Sequence, residues 1–253
     1  MTTQFTSLFF VLLTIMSANC FRLSNKKSSI KTYLTQTYTG IVPTPENLNV
    51  LGKAAEYAVL AGSTVTNSGA TTVVGSIGVS PGTAITGSLL KVVDGELHAA
   101  DAFSLAAQLD LKTAYDGLTN MPGAVDKTGT YLDGLTLPPG LYKFKLNCLL
   151  RTGAFTLDAQ GDANAKWVFQ IATELITSVG TQVKMIGGGS ALNVYWQVGT
   201  SATFKTGAVM LGNVISYSSI AFGTGASLKG RALARLGAVT MLGNVIQVKP
   251  YGN

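Results

Sequence analysis

Short apolar stretches separated by glycine set the rhythm of this chain from Val50 onward, as in Tyr57 to Ala61, Val73 to Val79 and Ile85 to Leu90. Runs of this length, rich in Val, Ile and Thr and bounded by Gly, predict strands. The pattern changes once. Between Glu96 and Leu118, the residues Leu97, Ala100, Phe103, Leu105, Leu109, Leu111 and Tyr115 recur at mixed three- and four-residue spacing, uninterrupted until Gly117. That spacing predicts one amphipathic helix over about 96–118, with His98 in its first turns. Strands resume at Gly140 to Phe144, Phe155 to Asp158, Trp167 to Ile171 and Val194 to Val198.

The C-terminal part repeats itself. Phe204-Lys205-Thr206-Gly207-Ala208 returns eighteen residues later as Phe222-Gly223-Thr224-Gly225-Ala226. The register continues through Met210/Leu228, Gly212/Gly230, Val214/Ala232 and Ile215/Leu233, and a further step brings Gly243 and Asn244 under Gly225 and Ala226. This period is too short for a helical hairpin or a propeller blade. It fits one coil of a β-solenoid, three short strands and three turns, stacked on the next coil at about 4.8 Å so that equivalent residues form straight columns.

Composition agrees. Only 12% of residues are charged and 47% are hydrophobic, with 29 Gly and 30 Thr, which suits many strands and tight turns and argues against disorder. The net charge of +6 is partly N-terminal, since Arg22, Lys26, Lys27 and Lys31 precede the glycine-punctuated region. The other basic residues are scattered without the stripe that nucleic acid requires, so no nucleic-acid partner is expected. Leu8 to Met16, followed by Ser17 and Ala18, has the length of a secretory signal core, although no basic residue precedes it. The expected organisation is a signal peptide over 1–20, an extension or linker over 21–48 ending in Pro43-Thr44-Pro45, and one solenoid domain over 49–253. A secreted, extracellular protein with no membrane span after cleavage follows from that division.

Reactive chemistry is sparse. The chain holds a single histidine, His98, so triads paired with a second histidine and two-histidine zinc sites are out of reach. No Asp or Glu occurs in the 79 residues after Glu174, which removes carboxylate pairs and calcium cages from the C-terminal coils. Cys20 and Cys148 show no metal-type spacing, and Cys148 reads as a buried thiol. No catalytic residue, metal or cofactor is therefore expected.

What remains is a surface. In register, one strand of three successive coils reads Thr200-Ser201-Ala202-Thr203, Ser218-Ser219-Ile220-Ala221 and Gly237-Ala238-Val239-Thr240. Alternation sends Ile220 and Val239 inward, and sends Ser201, Thr203, Ser219, Ala221, Ala238 and Thr240 outward. Thr83-Ala84-Ile85-Thr86 and Gly153-Ala154-Phe155-Thr156 have the same shape, adding Ala84, Thr86, Ala154 and Thr156, and Thr72 joins them as a candidate. An exposed strand commonly carries Thr, yet an ordinary solvated one would also carry Lys, Glu and Arg. A flat face of methyls and hydroxyls orders the water beside it. A carbohydrate-binding or adhesive solenoid is the alternative; it needs exposed aromatic platforms, whereas Trp167 and Trp196 sit in strand centres where burial is expected.

Several strings resemble the microbial ice-binding protein family with the discontinuous β-solenoid fold. They are Leu60-Ala61-Gly62-Ser63, Gly75-Ser76-Ile77-Gly78-Val79-Ser80-Pro81, Thr83-Ala84-Ile85-Thr86-Gly87, Leu137-Pro138-Pro139-Gly140-Leu141-Tyr142, Trp167-Val168-Phe169-Gln170-Ile171, Tyr195-Trp196-Gln197-Val198 and Gly230-Arg231-Ala232-Leu233-Ala234. They cover about residues 50 to 250 in the family's order. The resemblance implies a mainly β, right-handed parallel β-helix of triangular section with one long helix alongside, and a C-terminal strand returning to cover the first coils. It also implies an ice-binding surface on the flat face carrying Thr-Ala/Gly-x-Thr/Asn-like strands; the expected partner is an ice crystal surface and the expected state a monomer. Thr83 to Thr86 matches that pattern well and Thr200 to Thr203 nearly so. Ser218 to Ala221 and Gly237 to Thr240 match in part, and Thr173 to Ile176 poorly, because Glu174 would point outward. Some members insert a cap before the helix; Gly87 to Glu96 reads as a short link without one.

Overall fold

A computed structural model describes residues 50–248; the expected signal peptide, the extension and Cys20 lie outside them. After a short 3-10 helix (Gly52–Glu56) come β1 (Tyr57–Ala61), β2 (Thr64–Ser68) and β3 (Thr71–Val74), one strand for each side of a three-sided coil. A second coil follows as β4 (Ser76–Val79), β5 (Ala84–Thr86) and β6 (Leu90–Val93), and β7 (Leu97–Ala99) opens a third. The chain then leaves the coils as α1 (Ala102–Thr119) and starts again with β8 (Val125–Asp126) and β9 (Thr136–Leu137). From there it winds through β10 (Gly140–Phe144), β11 (Cys148–Leu150) and β12 (Ala154–Asp158), then β13 (Trp167–Ile171), β14 (Leu175–Thr177) and β15 (Gln182–Ile186). The last coils are made by β16 (Val194–Val198), β17 (Ala202–Phe204), β18 (Val209–Ser216), β19 (Ile220–Phe222), β20 (Ser227–Ala234), β21 (Val239–Leu242) and β22 (Val245–Gln247).

Stacking does not follow chain order. The side under the helix runs β7-β4-β1-β20-β18-β16-β13-β10-β8, so the final coil meets the first. The C-terminal strand expected to return over the first coils is β22, and two further strands dock with it. The pairs are β20 on β1 (Val59 beside Ala232), β21 on β2 (Val239 beside Val65) and β22 on β3 (Val245 beside Thr72), all parallel. Arg231 fastens this junction. Its Nε and Nη2 donate to the Ala55 carbonyl at 3.0 and 2.8 Å, and its Nη1 donates to Asn213 Oδ1 at 2.8 Å. A buried guanidinium is tolerable because its donors are taken up in this way.

The eighteen-residue repeat is confirmed in register. β18 and β20 pair from Val209 beside Ser227 to Ser216 beside Ala234, and Gly212 lies beside Gly230. These two strands bend there from one side to the next. Gly230 has φ 147°, and a Cβ on it would lie 2.0 Å from the Gly212 carbonyl oxygen, so no larger residue fits the corner. Inside, equivalent side chains stack: Phe204 on Phe222 at 5.0 Å and Phe169 on Trp196 at 4.1 Å between ring centroids. Trp167 and Trp196 are wholly buried, as their positions predicted. β13 and β16 are buried along their whole length because α1 covers their outer surface.

The helix starts later than its apolar spacing suggested. Leu97–Ala99 is a strand paired with β4, so His98 belongs to β7 and not to a helical turn. Ala100 then takes φ 51°, and Asp101 caps the helix by accepting the Ser104 N–H at 2.8 Å. The three- and four-residue spacing from Leu97 arises from a strand and a corner abutting a helix. The stretch from Gly87 to Glu96 is likewise no bare link, because it contains β6. At the far end, Gln170 Nε2 donates to the carbonyls of Leu118 and Met121, at 2.8 and 2.9 Å, and so holds the last turn. Midway, Gln108 Nε2 donates to the Ala234 carbonyl at 3.1 Å. The helix is therefore tied to the coils at several points, and that side of the solenoid is closed.

Candidate functional site

Two sides of the coil remain open. One is a seven-stranded sheet in the order β11-β14-β17-β19-β21-β2-β5. Its inward residues form the column Cys148, Leu175, Ala202, Ile220, Val239, Val65 and Ile85. The Cys148 thiol lies under this sheet, and burial pushes its pKa up to about 12, so it is an unreactive core group. Outward, five consecutive strands, together with the residue that leads into each of β17, β19 and β21, carry Ser201/Thr203, Ser219/Ala221, Ala238/Thr240, Thr64/Thr66 and Ala84/Thr86. These ten residues are Thr, Ser and Ala only.

Two straight columns result. Neighbouring strands hold their residues about 4.8 Å apart along a column, and the two columns are about 6.6 Å apart along the strand direction. Their hydroxyls are used differently. Ser201 Oγ accepts the Ser219 N–H at 3.4 Å, and Ser219 Oγ accepts the Ala238 N–H at 3.2 Å, so these two serines are turned into the backbone. The last coil has one extra residue between Ser219 and Ala238 compared with the step from Ser201 to Ser219, and Gly237 absorbs it. A Cβ on Gly237 would lie 2.3 Å from Ser219 Oγ. By contrast, the hydroxyls of Thr64, Thr66, Thr203 and Thr240 make no hydrogen bond to another described residue and face solvent.

Eight of the expected site residues thus come together: Ala84, Thr86, Ser201, Thr203, Ser219, Ala221, Ala238 and Thr240. Three do not. Ala154 and Thr156 lie on β12 beside Gln182 and Lys184 of β15, and Thr72 lies on β3 between Val245 and Lys91. All three stand on the third side of the coil. Strand alternation separates inside from outside but not one outer side from another, which is why Gly153 to Thr156 resembled Thr83 to Thr86 in sequence alone. Thr64 and Thr66 were missed. Their signal was the string Thr64-Val65-Thr66, which sits in register with Ala84-Ile85-Thr86 twenty residues on.

The remaining groups with chemical potential serve the fold. His98 Nδ1 lies 2.7 Å from Asp101 Oδ2 and its Nε2 lies 3.6 Å from Glu96, at the start of α1. A depression of about 340 Å³ beside the end of α1 is lined by Tyr115, Lys143, Gln170 and Gln197, among others. The Gln170 amide there is occupied by the helix end. Among the described residues, no group of three or more His, Cys, Asp or Glu is placed to hold a metal ion.

A solenoid closed on one side by a helix, with a charge-free lattice of small side chains on another, belongs to the class of β-solenoid proteins that work through a surface. The chain is a member of the ice-binding-like family, whose profile matches residues 59–247. It is 42% identical over 206 residues to an ice-binding protein of Nostoc sp. (strain HG1), covering 81% of this chain and 76% of that one. Among solved structures, an ice-binding protein from an Antarctic biological consortium superposes with a TM-score of 0.75 at 47% identity, over 78% of this chain and 89% of its own. The ice-binding protein of the Antarctic ascomycete Antarctomyces psychrotrophicus also gives 0.75, at 38% identity, over 79% of this chain and 98% of its own.

Proposed function

We propose that this protein adsorbs to ice through the outward residues of β17, β19, β21, β2 and β5, and that it restrains ice growth and recrystallisation without catalysis. The observation that carries this reading is the unbroken set of ten Thr, Ser and Ala residues in two registered columns. Family membership supplies the ligand. The methyl groups restrict the water above them, and the free threonine hydroxyls of the Thr203, Thr240 and Thr66 column anchor it. Because the strands hold these groups on a fixed spacing, the ordered water forms a lattice that can join a growing crystal. Ice between adsorbed molecules must then bulge outward, and its curvature opposes further growth.

The reading needs only one side of a single chain, which suits action as a monomer. The apolar run Leu8 to Met16 supports export to the cell exterior, where the protein would meet ice. A sugar-binding reading has less to stand on, since both tryptophans are core residues and Tyr131 is covered by the Arg151 guanidinium at 3.3 Å.

Replacing Thr203 or Ala221 by tyrosine puts a large ring on the flat face while leaving the core untouched. Thr203→Tyr and Ala221→Tyr should each abolish recrystallisation inhibition with no change in circular dichroism. Full activity in both variants would refute the assignment of this side.

A further inference from the structure

The seven-stranded sheet is longer than its small-residue lattice. At one end the two stop together, because β5 is the edge strand and still carries Ala84 and Thr86. At the other end the sheet continues through β14 and β11 after the lattice has ended. The outward pairs there are Glu174/Ile176 and Asn147/Leu149. Leu175 pairs with Ala202, so Glu174 occupies the same column as Ser201, one strand spacing away. The change along the column is therefore in side chain only.

Glu174 has no role in the fold that explains its place. Its side chain is exposed and makes no hydrogen bond or ion pair with a described residue. Several other acidic groups have a role in the fold: Asp101 caps α1, Asp126 pairs with Lys145, Asp116 pairs with Lys112, and Asp158 accepts the Gln160 N–H. A free carboxylate holds its own hydration shell, oriented toward a negative charge. Pressing it against ice would strip that shell with no partner to compensate, and this costs more than a small residue gains. Ile176, by contrast, is apolar and does not impose a competing water structure.

We propose that Glu174 sets the end of the adsorbing surface, confining it to five strands of a sheet whose backbone offers a sixth. The proposal rests on the ice-adsorption reading above and names the residue that limits it. Five strands span about 19 Å along the columns, and a sixth adds about 4.8 Å.

The experiment compares thermal hysteresis of the full chain with that of Glu174→Gln, Glu174→Thr/Ile176→Thr, Glu174→Lys and Thr203→Tyr. Melting temperatures should match the parent throughout, since the replaced carboxylate has no partner. Removing the charge should raise hysteresis, and the double variant should raise it by about a fifth or more, since it extends the small-residue surface from five strands to six. Glu174→Lys should show no gain. Unchanged hysteresis in both uncharged variants, with Thr203→Tyr inactive, overturns the proposal and leaves the adsorption reading standing. A fully active Thr203→Tyr overturns the reading, and the proposal falls with it.

Discussion

The seven-stranded side and the lysine-bearing side of this solenoid are built by the same coils, yet they present opposite surfaces. Both are parallel ladders in register, and both rest on the same stacked core. On the lysine-bearing side one outward column reads Ala154, Gln182, Val209, Ser227, Val245, Thr72 and Lys91, while Lys184 and Lys229 project from the same strands. That mixture of sizes and charges is how an exposed strand surface usually avoids association. Regular spacing is therefore common to both sides and cannot by itself distinguish a binding surface. Uniform small residues without charge mark only one of them.

Moving a charge between the sides should produce the largest effect. Thr240 and Ser227 are both outward strand residues, one on each side. Thr240→Lys should lower thermal hysteresis about tenfold or more, because a lysine cannot be desolvated against ice without a partner. Ser227→Lys should leave it unchanged. Equal losses in the two variants would mean that the sides do not differ in function.

A smaller effect separates the hydroxyls within the seven-stranded side. Ser219 Oγ satisfies the Ala238 N–H where the coil has gained a residue, whereas the Thr240 hydroxyl faces solvent. Ser219→Ala should cost about 1 kcal/mol of stability, an unpaired amide being left behind. For a domain of this size that lowers the melting temperature by about 2–4 °C, with activity close to the parent. Thr240→Val should do the reverse, keeping the melting temperature and losing part of the hysteresis. Calorimetry beside a hysteresis assay reads both, and a matched loss of activity in the two would erase the distinction.

Much of this was legible in the sequence for physical reasons. The repeat from Phe204 to Ile215 fixes coil register because equivalent apolar residues must stack, and the outward set Ser201 to Thr240 followed directly. Three kinds of information were hidden. Which side of the coil a strand occupies depends on corner lengths, so Thr72, Ala154 and Thr156 were grouped with residues they do not adjoin. The start of the helix depends on Ala100 turning the chain, and the apolar spacing runs through that turn without a break. The docking of three final strands on the first coil is a contact between residues such as Arg231 and Ala55, far apart in the chain, with no local periodicity to announce it.

The smallest expected effect is the response to pH, and it divides the surface from the scaffold. None of the ten lattice residues ionises, so hysteresis should be flat from about pH 9 to about pH 5. The scaffold does titrate in acid. The Ser104 N–H, donated to the Asp101 carboxylate at the start of α1, is the main reason its pKa falls from 3.8 to about 2, and the His98 ring 2.7 Å away adds to this. A depressed carboxylate pKa stabilises the fold fully above the unfolded value near 4, and that contribution is lost as pH falls from about 4 toward 2. The melting temperature should therefore decline over that acid window as the helix cap weakens, while hysteresis measured near freezing persists as long as the coils remain folded. A fall in hysteresis at neutral pH with a constant melting temperature would place an ionising group in the adsorbing surface and contradict its assignment to Thr, Ser and Ala alone.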